Sequence, residues 1–276
     1  MKLHKTQMNI TTKLTALIAV MSLGAAQGAL VTEFIGGAAG TSTSVGGTHT
    51  IGDPTDGGDF WNGGDTGTYL HEDARVTGSF SAVVRVVGQS EAANGRWGKA
   101  GIMARDSLSV DSSSAMAQVA AGNNSRPGAE SPVPLRLAGR NNNDGQGGFE
   151  IAIQDAGGGE IPNDVFNTDG SVNLTWLRLD YDDATGLFTA GSAPDVAGAP
   201  GTWSYSGTNG VADTDAGDGW LVGMAYSAHG DMSLAGGLEG THEVTFDNFS
   251  VTLIPEPSSI LLGLSALGFL SVRRKR

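Results

Sequence analysis

Phe80-Ser81-Ala82-Val83-Val84-Arg85-Val86-Val87 is the stretch that decides the fold class. In an extended chain Phe80, Ala82, Val84 and Val86 share one face, and Ser81, Val83, Arg85 and Val87 share the other, because successive strand side chains point to opposite sides. The same two-residue period runs outward along the chain. Lys99–Arg105 sets Ala100, Ile102 and Ala104 against Lys99, Met103 and Arg105. Residues 115–120, 134–138, 149–154, 187–190 and 202–205 are shorter candidates of the same kind. Trp176–Tyr181 groups Leu177, Leu179 and Tyr181 opposite Trp176, Arg178 and Asp180. Trp220–Tyr226 is apolar without interruption, which predicts a central strand covered on both faces. Residues 243–253 supply the last strand, with Phe246 and Phe249 of opposite parity.

Between these stretches lie turns. The chain has 43 glycines among 276 residues, concentrated in Gly/Asp/Asn/Ser segments that punctuate the apolar runs. Residues 33–68 are Gly/Thr/Asp-rich and weakly patterned, and read as one edge strand followed by a long loop. About ten strands at this spacing, with no internal repeat and no amphipathic helix beyond two turns, predict an all-β sandwich or jelly roll over residues 29–253.

Both ends read as addresses. Lys2, Lys5 and Lys13 precede an apolar segment over 14–26, and Ala26-Gln27-Gly28 offers small residues for a cut, the pattern of a signal peptide over 1–28. At the other end, residues 254–276 carry Pro255-Glu256-Pro257, an uncharged apolar run over 258–272, and Arg273-Arg274-Lys275-Arg276. The prolines keep the motif extended. As a transmembrane helix of about 1.5 Å per residue the run falls short of the ~30 Å hydrocarbon core, and the four cations favour the cytoplasmic side. This tail resembles the PEP-CTERM sorting signal of bacterial envelope proteins. The resemblance implies transient inner-membrane anchoring, trimming by an exosortase, and a destination at the cell surface or in the extracellular matrix.

The two ends hold seven of the 16 basic residues but only Glu256 of the 29 acids, so residues 29–255 carry 9 basic against 28 acidic side chains, a net −19. A surface of that charge repels nucleic acid. Without cysteine there are no disulfides, and the core must hold an exported domain by itself or with a metal. Asp53, Asp56, Asp59 and Asp65 fall in one Gly-rich segment and offer the hard oxygens calcium prefers; Asp247 and Asn248 on the last strand are further candidate ligands. The alternative for the segment is a merely acidic loop.

Three motifs in order resemble a known family. Trp97-Gly98-Lys99-Ala100-Gly101-Ile102-Met103-Ala104-Arg105-Asp106-Ser107, Trp176-Leu177-Arg178-Leu179-Asp180 and Phe246-Asp247-Asn248-Phe249-Ser250-Val251 are similar to segments of the DUF1349-like group of concanavalin A-like lectin/glucanase sandwiches. The resemblance spans 60–253 and implies a concanavalin A-like jelly-roll that binds glycan. Trp97, Lys99, Arg105 and Arg178 would then form a glycan face, although alternation with apolar partners suits them equally to structural roles. Two segments depart from the family: 191–201 reads as a Pro/Ala/Gly loop, and 141–160 is rich in Asn, Gly and Asp.

Catalytic patterns are absent. A glucanase-type E-x-D-x-x-E strand does not occur, Glu239 and Glu243 flank a turn-like Gly240-Thr241, and no G-x-S-x-G or zinc-type histidine spacing is present. The expectation is a non-enzymatic, exported protein with exosortase, membrane and exopolysaccharide as partners and calcium as its one candidate cofactor. The alternatives are a glycoside hydrolase of the same superfold and a purely structural matrix protein.

Overall fold

The computed structural model describes residues 28–37, 40–53, 60, 64–89, 98–120, 135–140, 148–154, 174–211, 218–228 and 242–255. The expected signal peptide over 1–28, apart from Gly28, and the sorting tail beyond Pro255 lie outside them.

The described residues form fifteen strands: β1 (Leu30–Ile35), β2 (Thr41–Val45), β3 (Thr48–Asp53), β4 (Gly67–Glu72), β5 (Phe80–Gln89), β6 (Lys99–Arg105), β7 (Ser114–Ala120), β8 (Leu135–Arg140), β9 (Gly148–Gln154), β10 (Thr175–Asp182), β11 (Leu187–Val196), β12 (Ala199–Pro200), β13 (Ser204–Gly210), β14 (Leu221–Ser227) and β15 (His242–Leu253). Their pairings are antiparallel. The first sheet runs β1-β4-β14-β6-β7-β8-β9 and the second β13-β11-β10-β5-β15-β3-β2, with β12 beside β11. Gln154 and Ile153 of β9 also pair with β13, so the two sheets join along one side.

The sheets pack face to face, the arrangement the period-2 pattern predicts. Ala100, Ile102, Ala104, Ala117, Val119, Leu137, Val222 and Met224 of the first sheet meet Phe80, Ala82, Val84, Leu177, Leu179, Phe188, Val244 and Phe246 of the second in one core. Phe80, Tyr181, Phe188 and Trp220 interlock at one end, with ring centroids 4.7–6.3 Å apart, in the tilted and edge-on geometries that aromatic quadrupoles favour.

Three expectations change. Residues 33–68 hold parts of β1 and β4 and all of β2 and β3, rather than one strand and a loop. Gly46 and Gly47, both at positive φ (59° and 82°), turn β2 into β3 as a two-residue hairpin requires. The segment 191–201 is likewise no loop: β11 continues to Val196 and turns through Ala197 (φ 53°) and Gly198 (φ 85°) into β12. Finally, Phe246 and Phe249 both lie in the core, at 0% and 5% exposure. Asn248 sits at φ 53° in an irregularity where the register slips between Asp247 and Ser250, and this bulge reverses the parity of the residues beyond it.

β14 is buried along its whole length, as its unbroken apolar run predicts. Its inner residues enter the core, while Leu221 and Ala225 join a second apolar cluster with Ile35, Phe60, Tyr69, Met103 and Met116 on the outer side of the first sheet.

Candidate functional site

That outer side is where polar chemistry collects. Strand register places Tyr69, Ala225, Gly101, Gln118 and Arg136 in one row across β4, β14, β6, β7 and β8. Ser227 and Lys99 pair in the next row on one side, and His71, Met103, Met116 and Glu150 share the next on the other. In an ordinary antiparallel sheet such a face would be solvated. Here Lys99 is 3% exposed, Gln118 0%, Arg136 3%, His71 4% and Ser227 0%.

Several of their polar atoms have no hydrogen-bond partner: both amide atoms of Gln118, Nε and Nη2 of Arg136, Nε2 of His71 and Oγ of Ser227. Buried polar atoms are almost always satisfied, and leaving one unmade costs roughly 1–3 kcal/mol. Their neighbours fix their positions. Arg136 Nη1 is 2.5 Å from Glu150 Oε2. His71 donates from Nδ1 to the Glu72 carbonyl at 2.6 Å and stacks on Tyr69 with centroids 4.9 Å apart. The Tyr69 hydroxyl lies 2.7 Å from the Leu221 carbonyl and 3.0 Å from that of Met103. Complete burial pushes its pKa far above the ordinary value, so it stays neutral.

The floor of the face is held close by glycine. A Cβ on Gly101 would overlap the Ala117 carbonyl oxygen, and one on Gly223 would overlap the backbone of Leu70 and His71. Both positions leave the face without a side chain between its polar groups.

One end of the face is closed by a charge cluster. Asp65 accepts from Arg105 Nη1 through one oxygen and from Arg140 Nη2, at 2.8 Å, through the other, with all three side chains at most 2% exposed. Arg105 also donates to the carbonyls of Ser107 and Ser109, and Arg140 to that of Val110. The cluster thus ties the segment after β6 to the residues before β4.

The second sheet carries a separate polar group on its own outer face. Arg85 makes a bidentate pair with Asp247, at 2.8 and 2.6 Å, and reaches Asp195 at 3.0 Å. Asp195 also accepts from Trp176 Nε1 at 2.8 Å, and the Arg85 guanidinium lies 5.6 Å from the Trp176 ring centroid. The Arg85 hydrogen bond holds Asp247 below the ordinary carboxylate range. The Trp176 bond is the largest influence lowering Asp195, followed by Arg85 and the Gly198 N–H.

The residues expected to form one glycan face are therefore divided. Lys99 and Arg105 lie on the outer face of the first sheet, where Arg105 is engaged by Asp65. Arg178 lies in β10 of the second sheet, paired with Asp180 at 2.8 Å and 5.9 Å from the Trp203 ring centroid. Trp97 is outside the described residues. Of the candidate calcium ligands, Asp247 is held by Arg85, and the Asn248 amide donates to Asp247 at 2.9 Å. Asp53 pairs through its backbone at the end of β3, Asp65 is held by two arginines, and Asp56 and Asp59 are outside the described residues. Among the described residues no group of three or more His, Asp or Glu could hold a metal. Gln118, Arg136, His71 and Ser227 do not stand out in the sequence. The signal that could find them is polar residues at outward parity inside otherwise apolar strands.

No family model matches the chain. No curated protein matches it either. Among solved structures it is similar to arcelin-5, a lectin-like defence protein of Phaseolus vulgaris, at 10% identity over 82% of this chain and 93% of that one, with a TM-score of 0.46. It is also similar to the Bauhinia forficata lectin in complex with GalNAc, at 12% identity, 82% and 93% coverage and a TM-score of 0.43. A third is the Lotus tetragonolobus seed lectin, at 11% identity, 83% and 95% coverage and a TM-score of 0.44. What those proteins bind is a property of those proteins.

Proposed function

We propose that this protein is an exported β-sandwich of the bacterial cell envelope or its exopolysaccharide matrix, and that it binds glycan without cleaving it. The observation that supports this reading is the open groove over β10 and β11, lined by Arg178, Asp180, Tyr181, Leu187, Thr189 and Thr208, with the Arg178 guanidinium 5.9 Å from the Trp203 ring centroid. Its guanidinium, carboxylate and hydroxyl groups offer donors and acceptors of the kind that sugar hydroxyls satisfy, on strands whose register fixes their positions. A non-catalytic role is supported by the pairing of the carboxylates at hand. Hydrolysis of a glycoside needs one carboxyl as acid and a second as base or nucleophile. Asp65 and Glu150 are both neutralised by guanidinium groups.

Destination rests on the two ends of the sequence: a signal peptide brings the chain across the membrane, and the Pro255-Glu256-Pro257 tail with its basic cluster presents it to an exosortase. The three motifs of the middle that resemble concanavalin A-like sandwiches support glycan as the ligand class. Calcium enters this reading as a structural ion bound by Asp53, Asp56 and Asp59.

The test uses the full-length protein in mild detergent and exopolysaccharide from the producing organism. Co-sedimentation should saturate, Arg178→Ala should weaken it at least tenfold, and the supernatant should gain no reducing ends. Released sugar would make the protein a hydrolase, and equal sedimentation with every polysaccharide would make it a structural matrix protein. A melting temperature unmoved by chelator would remove calcium. Normal trimming of a chain with alanines at 255–257 would remove the exosortase.

A further inference from the structure

The second sheet presents an aromatic ring to solvent. Tyr205 of β13 is 40% exposed, whereas Tyr69, Tyr181 and Tyr226 are buried. Its direction comes from a bulge. Thr189 of β11 pairs with Thr208 of β13, but Gly191 pairs with Tyr205, so β13 takes three steps where β11 takes two. Residues three apart on a regular strand point to opposite faces. The extra residue brings Tyr205 onto the outer face that Thr208 shares. Ser206 fixes the bulge: its Oγ accepts from the Ala190 N–H at 3.0 Å and donates to the Gly207 carbonyl at 2.6 Å.

Gly191 makes room for the ring. A Cβ there would come within 3.0 Å of Tyr205 Cε1 and 3.3 Å of Trp203 Cε3, so both rings rest over the gap that this glycine leaves in β11. Strand register sets Gln154 of β9, Tyr205, Gly191 and Arg178 of β10 in one row, with Thr208, Thr189 and Asp180 in a neighbouring row. Gln154 is exposed. Arg178 donates from Nε to both Asp180 oxygens at 2.8 Å, and that pair engages Nε alone, which leaves the Nη groups for a ligand. From amide to guanidinium the row crosses three strand spacings, on the order of 14 Å, with the exposed ring between them. It borders the groove, whose volume is about 450 Å³.

A pyranose carries C–H bonds on its faces and hydroxyls around its rim. A flat exposed ring takes the first by dispersion and burial of apolar area, and amide, guanidinium and hydroxyl groups beside it take the second. Charge decides the class of sugar. Arg178 is the one cation among the residues that line the groove, and Asp180 neutralises it. Asp182 adds a second carboxylate, and residues 29–255 carry a net −19. A polyanion is repelled both at the groove and at long range.

Building on the glycan-binding reading, we infer that the ligand is an uncharged glycan: one pyranose stacks on Tyr205, and the rings beside it enter the groove at Arg178, Thr189 and Thr208. Tyr205 is then a specificity-determining residue, placed on the rim by the β13 bulge. A ligand without charge gives salt nothing to screen, so affinity should change by less than about twofold between low and physiological ionic strength.

The experiment separates exopolysaccharide from the producing organism into uncharged and acidic fractions by anion exchange, and measures binding of each to the full-length protein in mild detergent. The expected result is saturable binding to the uncharged fraction, roughly tenfold tighter than to the acidic one. Tyr205→Ala should lower that affinity by roughly tenfold, while Tyr205→Phe, which keeps the ring, should bind as the parent does. Acidic polymer bound as tightly as uncharged polymer overturns the charge inference and leaves glycan binding standing. Parental affinity in Tyr205→Ala overturns the stacking role, and Tyr205→Phe as weak as Tyr205→Ala overturns it in favour of a hydroxyl hydrogen bond. No binding of either fraction overturns the glycan reading and this inference with it. The comparison of fractions needs no variant, so it decides even where Tyr205→Ala does not fold.

Discussion

Asp65→Ala is the sharpest test of the charge cluster that closes the polar face. Asp65 is 2% exposed at its side chain and spans two arginines that are 0% and 2% exposed. Removing it leaves Arg105 without its carboxylate and Arg140 with the exposed Asp111, 3.9 Å away. Breaking a buried pair in this way costs about 3–5 kcal/mol. The lower half of that range applies here, because Arg105 keeps the Ser107 and Ser109 carbonyls and Arg140 keeps that of Val110. For a domain of this size each kcal/mol lowers Tm by roughly 2–4 °C, so a loss of about 3 kcal/mol predicts a fall of about 6–12 °C. The assay is thermal unfolding followed by circular dichroism, with urea unfolding at 25 °C as a second measure. The triple change Asp65→Leu, Arg105→Met and Arg140→Met removes all three charges together and should recover most of the loss, because an apolar cluster carries no desolvation cost. A fall below 2 °C for Asp65→Ala, or a triple variant worse than the single one, would refute the reasoning that these charges depend on one another.

Gly101→Ala should lose about 2–3 kcal/mol in urea unfolding, since its methyl overlaps the Ala117 carbonyl oxygen and meets the Gln118 Cα at 2.9 Å; an unchanged midpoint would show that β6 and β7 separate freely. Asn248→Val should cost about 1–2 kcal/mol, because a β-branched residue resists the left-handed backbone there, whereas Asn248→Gly should stay within a few tenths. Stability should also decline as pH falls from 7.5 to 5. Burial lowers the pKa of His49 below its usual 6.5, against the pull of Asp247, so the unfolded chain takes up the proton first and gains from acid. His49→Gln should flatten that slope. Glu72 acts in the opposite sense at lower pH, because burial raises its carboxyl; a His49→Gln variant with the parental slope would remove His49 as the cause.

The interior is legible because inner positions repeat strictly. Phe80, Ala82, Val84 and Val86 are all at 0% exposure, and the unbroken run of β14 is covered on both sides as its composition demands. β2 and β3 escape such a reading for a related reason. Four of the five β2 residues are exposed, so Thr and Ser replace the apolar partner that makes alternation visible, and only Gly46-Gly47 marks the hairpin. Phe249 reads to the wrong face because one residue at positive φ shifts parity without changing composition. The site is harder still. Arg136 and Gln118 look like ordinary outward residues of exposed strands, and only the unbroken apolar run of β14 signals that the outer side of the first sheet is covered. The acids singled out for calcium show the converse. Asp65 and Asp247 stand out by type, yet both are committed to arginines distant in sequence.

β15 lies between β5 and β3 in the middle of the second sheet, and it is also the last strand before Pro255. Val83 of β5 pairs with Ser250 of β15, so the second sheet cannot be completed until nearly the whole chain has been made. Pairings that span so much sequence form slowly. In the export proposed above, a chain still on the ribosome therefore has no finished sandwich to obstruct passage through a narrow pore. Once the last strand is inserted, Ile254 alone separates Leu253 from Pro255. In the proposed trimming, the protease works beside a strand that holds the body together, and a cut a short way upstream would unravel the sheet from its centre.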